Sequence, residues 1–100
     1  MSMRVHDAVS LQLGSIQNVA LATASATSSS ALPTSSNGFR IVAGCDIWIH
    51  WLTASASAGN SIFVPAKVPE YFEANGGAVI DVLAATSANP MTAQITPFII

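Results

Sequence analysis

GFRIVAGCDIWIHWL, residues 38–52, is the stretch that decides the fold. From Phe39 to Ala43, Phe39, Ile41 and Ala43 fall on one face, with Arg40 and Val42 opposite. From Asp46 to Leu52, Ile47, Ile49 and Trp51 oppose Asp46, Trp48 and His50. A period of two is what a half-buried β-strand requires. Gly44 and Cys45 separate the two runs as a turn or bulge, so the pattern predicts a central β-hairpin. Both faces of its second strand are partly apolar, which places that strand either centrally in a sandwich or at a subunit contact.

Working outward, the same alternation recurs. Ala8 to Leu13 sets Val9, Leu11 and Leu13 against Ser10 and Gln12, and Gln17 to Thr23 sets Val19 and Leu21 against Asn18 and Ala20. Residues 24–37, ASATSSSALPTSSN, are a Ser/Thr-rich run with too little apolar surface to order itself by its own packing. They read as a long loop with Leu32 as an anchor, serving either as a flexible connector or as an arm over a neighbour. Residues 53–60 form a second small-residue loop, and Ser61 to Val64 a short strand that ends before Pro65 and Pro69. Glu70 to Ala74 resumes extended structure. Asn75, Gly76 and Gly77 then give a tight-turn signal, so residues 70–83 read as a second hairpin. Met91, Ala93 and Ile95 alternate with Thr92, Gln94 and Thr96, and the closing PFII packs into its own sandwich or onto a partner. Seven to eight short strands with Gly, Pro and Ser punctuation define an all-β, antiparallel, jelly-roll-like β-sandwich, a single domain over residues 1–100.

Composition narrows the way of life. Charged residues make up 8% of the chain, against roughly 25% in ordinary soluble domains. A free monomer keeps itself soluble with mixed surface charge, so much of this surface is expected to be covered by neighbouring subunits or another protein. The formal net charge is −2, with only Arg4, Arg40 and Lys67 as basic residues. Nucleic acid is not an expected partner, because phosphate neutralisation needs clustered Lys and Arg. No apolar run precedes His6 and Asp7 and no run reaches membrane-spanning length, so neither a signal peptide nor a transmembrane helix is expected. A single cysteine forms no internal disulfide and suits a reducing cytoplasm.

No catalytic, cofactor-binding or metal site emerges. Cys45, Asp46 and His50 are the nearest to a cluster, yet Asp46 and His50 on one extended strand lie about 13 Å apart at roughly 3.3 Å per residue. Cys45 faces the other way or into the bulge, where a cysteine is usually a small buried hydrophobe. The same spacing defeats a metal site. His6 beside Asp7 reads as an exposed terminal pair, Glu70 and Glu73 as sheet rim, and Gly76-Gly77 lacks the pattern and lysine of a phosphate loop. Trp48 and Trp51, three apart on a strand, face opposite sides. Trp51 belongs to the core, and Trp48 is either core or an interface anchor.

LPTSSNGFRIVAGCDIWIHW from Leu32, then a small-residue loop, then FVPAKVPEYFEANGG and a closing VIDVL strand, together resemble small β-sandwich structural proteins of tailed bacteriophages. The likeness covers about two thirds of the chain and rests on RIVA before a Cys/Asp turn and VPEYF before a glycine turn. It implies a noncatalytic virion protein of the capsid cement or decoration type, without cofactors. Such a protein forms dimers or trimers, binds the major capsid protein or another virion protein, and is made in the host cytoplasm. The interface residues expected on this reading are Trp48, His50, Leu32, Phe98, Ile99 and Ile100. The alternatives are a tail, adaptor or fibre component and, from a different class, a carbohydrate-binding module.

Overall fold

Nine strands and one short 3-10 turn are present in a computed structural model, which describes residues 10–51 and 61–100. In chain order the strands are β1 (Ser10–Leu11), β2 (Gln17–Ala20), β3 (Thr27–Ser28), β4 (Gly38–Ala43), β5 (Ile47–His50), β6 (Ile62–Val64), β7 (Glu70–Glu73), β8 (Asp81–Ala84) and β9 (Thr92–Ile99). The His6–Asp7 pair, the start of the first expected strand and the 53–60 loop lie outside the described residues.

Every pairing is antiparallel. One sheet runs β1-β9-β4-β7, with β2 also on β9, and the other runs β3-β8-β5-β6. β1 and β2 are one strand interrupted by the 3-10 turn at Leu13–Ser15. From Leu11↔Phe98 to Gln17↔Ile95 the first chain advances six residues while β9 advances three. Counted so, there are eight strands with nested partners: first with last, β3 with β8, β4 with β7, and β5 with β6. That is one long hairpin, and rolling it brings β9 onto β4 and β8 onto β5. The result is a jelly-roll sandwich.

The core lies between the sheets and follows the alternation read from residues 38–52. Phe39, Ile41, Ile47 and Ile49 are fully buried and meet Ile80, Val82 and Ile95. Each such side chain contributes about 1.5–3 kcal/mol by leaving water. Trp51 packs on the core margin, edge-on to Phe39 at 5.1 Å between ring centroids and tilted against Phe72 at 5.3 Å.

Neither predicted hairpin forms. β4 and β5 do not pair with each other. Gly44 to Asp46 instead carries the chain from one sheet to the other. A Cβ at Gly44 would run into Pro90, so glycine is needed for the close approach. The crossing is pinned by Lys67, whose backbone N–H donates to the Ala43 carbonyl (2.7 Å), and by Asp46 Oδ1, which accepts from the Ala66 N–H (2.7 Å). Asn75 to Gly77 does turn tightly, with the Ala78 N–H donating to the Asn75 carbonyl (3.1 Å) and Gly77 at φ 86, but it too crosses between sheets, from β7 to β8. Alternation assigns each strand an inner face and is identical whether the next strand lies beside it or across the core. Only the pairing partner distinguishes the two.

The Ser/Thr-rich run is ordered within the chain, contrary to the expectation that it lacks ordering of its own. Thr27–Ser28 is a strand, and Ser29, Leu32 and Ser36 are buried. The Ser29 N–H donates to the Ile80 carbonyl (2.8 Å), its Oγ accepts from the Ile80 N–H (2.9 Å), and Gln17 clamps both backbone groups of Ser30. Hydrogen bonding to a strand edge, with Leu32 as the apolar plug, replaces the apolar area this run lacks.

The last strand runs past the predicted Thr96 and through Pro97, although proline is normally excluded from interior strands. Pro97's carbonyl accepts from the Gln12 N–H (2.8 Å), so the side of its missing N–H faces the 3-10 interruption between β1 and β2. No ladder bond to β4 is lost.

Candidate interaction surface

Because Ile47 and Ile49 point into the core, Trp48 and His50 point out of the other side of β5. Directly opposite residues on paired strands share a face. Trp48 is flanked by Phe63 on β6 and Leu83 on β8, and His50 by Asp81. The Trp48 and Phe63 rings meet edge to face at 5.1 Å. Leu83, Trp48 and Phe63 thus form an apolar row across the outside of this sheet, beside a polar row in which Ser28 Oγ donates to Asp81 Oδ1 (2.5 Å). Phe63 is 45% exposed, on the strand that forms the sheet's edge, while Ile62 pairs with Ile49 and stands at the opposite, inward parity. The row is thus half-buried at Leu83 and Trp48 and open at Phe63, an apolar stripe that a contact could cover.

The six expected interface residues separate into three places. Trp48 and His50 sit half-buried on this outer face. Ile99 and Ile100 are exposed at the end of β9, in the other sheet. Leu32 and Phe98 lie inside the chain's own packing, at 2% and 0% exposure, and leave no side-chain surface for a neighbour. Leu32 plugs the Ser/Thr-rich segment into the core. Phe98 lies over Gly38, where a Cβ would strike its ring, and against Tyr71 at 6.2 Å.

Phe63 and Leu83 complete the row, and sequence reasoning did not single them out. Their signal was the apolar residue at the outward parity of each strand. It is readable only once the register sets them beside Trp48.

The Cys45, Asp46 and His50 trio does not converge on a shared point. Cys45 is fully buried. Burial pushes its thiol above the ordinary value, and the Asp46 carboxylate pushes the same way, so the nucleophilic thiolate is disfavoured. Asp46 is engaged with the Ala66 backbone, and His50 is level with Asp81 across the strand pair. Among the described residues, no group of three His, Cys, Asp or Glu side chains is placed to hold a metal ion, and no helix is long and apolar enough to cross a membrane.

No known family model, curated protein or solved structure matches this chain.

Proposed function

We propose that this chain is a noncatalytic bacteriophage capsid cement or decoration protein. It is made in the host cytoplasm and bound at the capsid surface, where it stabilises the assembled shell by contacting several neighbouring subunits, alone or as a small homo-oligomer. The observation that supports the reading is the outward Leu83–Trp48–Phe63 row, half-buried at Leu83 and Trp48 and exposed at Phe63, on a chain with only 8% charged residues. Aromatic side chains in a charge-poor setting are the usual energetic centre of a protein contact. The mechanism is mass action: a protein that binds the assembled shell and not its dissociated subunits shifts assembly toward the shell.

The test is co-sedimentation with assembled capsids against unassembled capsid protein, followed by electron cryo-microscopy of the decorated particle. Saturable binding to shells alone is expected, with density at regular capsid positions. Replacing Trp48 and Phe63 together by serine should raise the dissociation constant for the shell at least about tenfold, the equivalent of about 1.4 kcal/mol. Density confined to the tail would reassign the protein as a tail, adaptor or fibre component.

A further inference from the structure

Loops at one end of the sandwich border an open cleft of about 750 Å³ that the Leu83–Trp48–Phe63 row does not include. Its lining includes Ser36, Asn37, Trp51, Glu73 and Asn75. The volume falls within the ~300–1,000 Å³ range of small-molecule sites. Trp51 packs by its inner side against the core, edge-on to Phe39 (84° between planes) and tilted against Phe72.

The polar groups around the indole are held by their own bonds. The Asn37 N–H donates to the Phe98 carbonyl (2.9 Å), its carbonyl accepts from the Ala74 N–H (2.9 Å), and its Oδ1 accepts from the Ile100 N–H (2.9 Å). With the amide oxygen so engaged, the Asn37 side chain offers its NH2 group as a donor. Ser36 Oγ donates to Gln12 Oε1 (2.6 Å), which fixes the same rim. Across the cleft, Glu73 and Asn75 are exposed and carry carboxylate and amide groups. Backbone bonds tie the two rims together. The Gly77 N–H donates to the Leu32 carbonyl (3.0 Å), and a Cβ at Gly76 would strike the Thr34 backbone.

A half-buried indole lining one cleft with a donor, an amide and a carboxylate matches a ligand with an apolar face and a rim of hydroxyls that both donate and accept. We propose that this end cleft is a binding site for a neutral saccharide, with a pyranose ring stacked on Trp51 and its hydroxyls bonded to Asn37, Glu73 and Asn75. Among the described residues of the lining Glu73 is the only charged side chain, so anionic sugars are repelled. The inference stands apart from the virion reading: a capsid-bound protein without sugar affinity overturns this proposal alone.

The test is a neutral-glycan array, followed by titration of the full 15N-labelled chain with the oligosaccharides retained, and with a galacturonate oligomer. The expected result is saturable shifts of the Trp51 indole N–H and of the amides of residues 36–37 and 73–76 with a neutral oligosaccharide, and none with the galacturonate. The double variant Glu73→Ala, Asn75→Ala alters two exposed side chains and should keep the parent's thermal midpoint while binding about tenfold more weakly. Trp51→Leu should abolish binding; if it fails to fold, the rim variant decides. Absence of binding to any neutral glycan, shifts centred on Trp48 and Phe63, or undiminished binding by the rim variant overturns the proposal.

Discussion

On the outside of the β3-β8-β5-β6 sheet the middle row reads Leu83, Trp48, Phe63. On the outside of the other sheet the neighbouring rows read Asn18, Gln94, Val42 and Thr96, Arg40, Tyr71. Both faces belong to strands whose inward side chains share one core, and both were generated by the same period of two. They differ in what stands at the outward parity. The β5 face carries an apolar row that ends at an exposed edge, beside the polar Ser28–Asp81–His50 row, whereas the β4 face is mostly polar and keeps its large apolar ring, Phe98, folded over Gly38 and out of water. Burial of the inward parity thus accounts for folding, and the outward parity for which side of the sandwich a partner can use.

The difference can be attacked at several points. The largest effect is expected from Ile49→Ala, one residue from Trp48 but on the inner side. The cavity it leaves should lower unfolding free energy by about 2–5 kcal/mol in denaturant titration, whereas the same measurement on Trp48→Ser should show a smaller loss. Equal losses would mean that Trp48 is core and that the two sides of β5 are not distinct. Gly38→Ala comes next. Its methyl would meet the Phe98 ring and the Phe72 carbonyl, so a loss of about 1–3 kcal/mol is expected, together with a changed environment for Tyr71. Unchanged stability would mean that Phe98 is free to move and that the polar face can uncover an apolar ring.

A smaller effect on folding, and a larger one on binding, is expected at the surface rows. Phe63→Ser should lower capsid occupancy, and Gln94→Ala on the opposite face should leave it unaltered, both by co-sedimentation. The reverse ranking would move the contact to the other sheet. The smallest effect concerns Cys45 at the crossing between the sheets. Its thiol is raised in the folded chain, so the folded state holds that proton more tightly than the unfolded one. The associated stability is complete below the ordinary thiol pKa of about 8.5 and is lost as pH rises through the higher folded value. Thermal midpoints followed upward from neutral pH should fall less for Cys45→Ala than for the parent. Parallel curves would remove the thiol from the alkaline limb.

Much of this was legible in residues, and some of it was not. Ile47 and Ile49 announced their burial by alternation, and Trp51 its place at the core by the same parity. Trp48 and His50 announced the opposite face. The order of residues 24–37 was not legible, apart from Leu32 as the anchor, because it comes from backbone bonds to β8 and from Gln17 and Gln12, partners far away in sequence that leave no trace in local composition. The end cleft was missed for a related reason. Trp51, Glu73, Asn75 and Asn37 come from the ends of β5, β7 and the approach to β4, and no spacing along the chain brings them together.

By itself, the sequence determined the all-β class, the inner and outer faces of β2, β4, β5 and β9, the scarcity of charge and the places where the chain must turn. These are local properties, set by side-chain period, glycine and proline geometry, and composition. Leu11 and Leu13, which alternation set on one apolar face, are exposed beside the 3-10 turn. Only the tertiary structure decided that Gly44–Asp46 and Asn75–Gly77 cross between sheets instead of closing hairpins, and that Phe63 and Leu83 stand beside Trp48. Pairing is a choice among distant backbone edges, all of which offer the same N–H and C=O groups. The choice falls to whichever register buries Phe39, Ile41, Ile47 and Ile49 in one shared core, and GFRIVAGCDIWIHWL satisfies it by placing its two strands on opposite sides of that core.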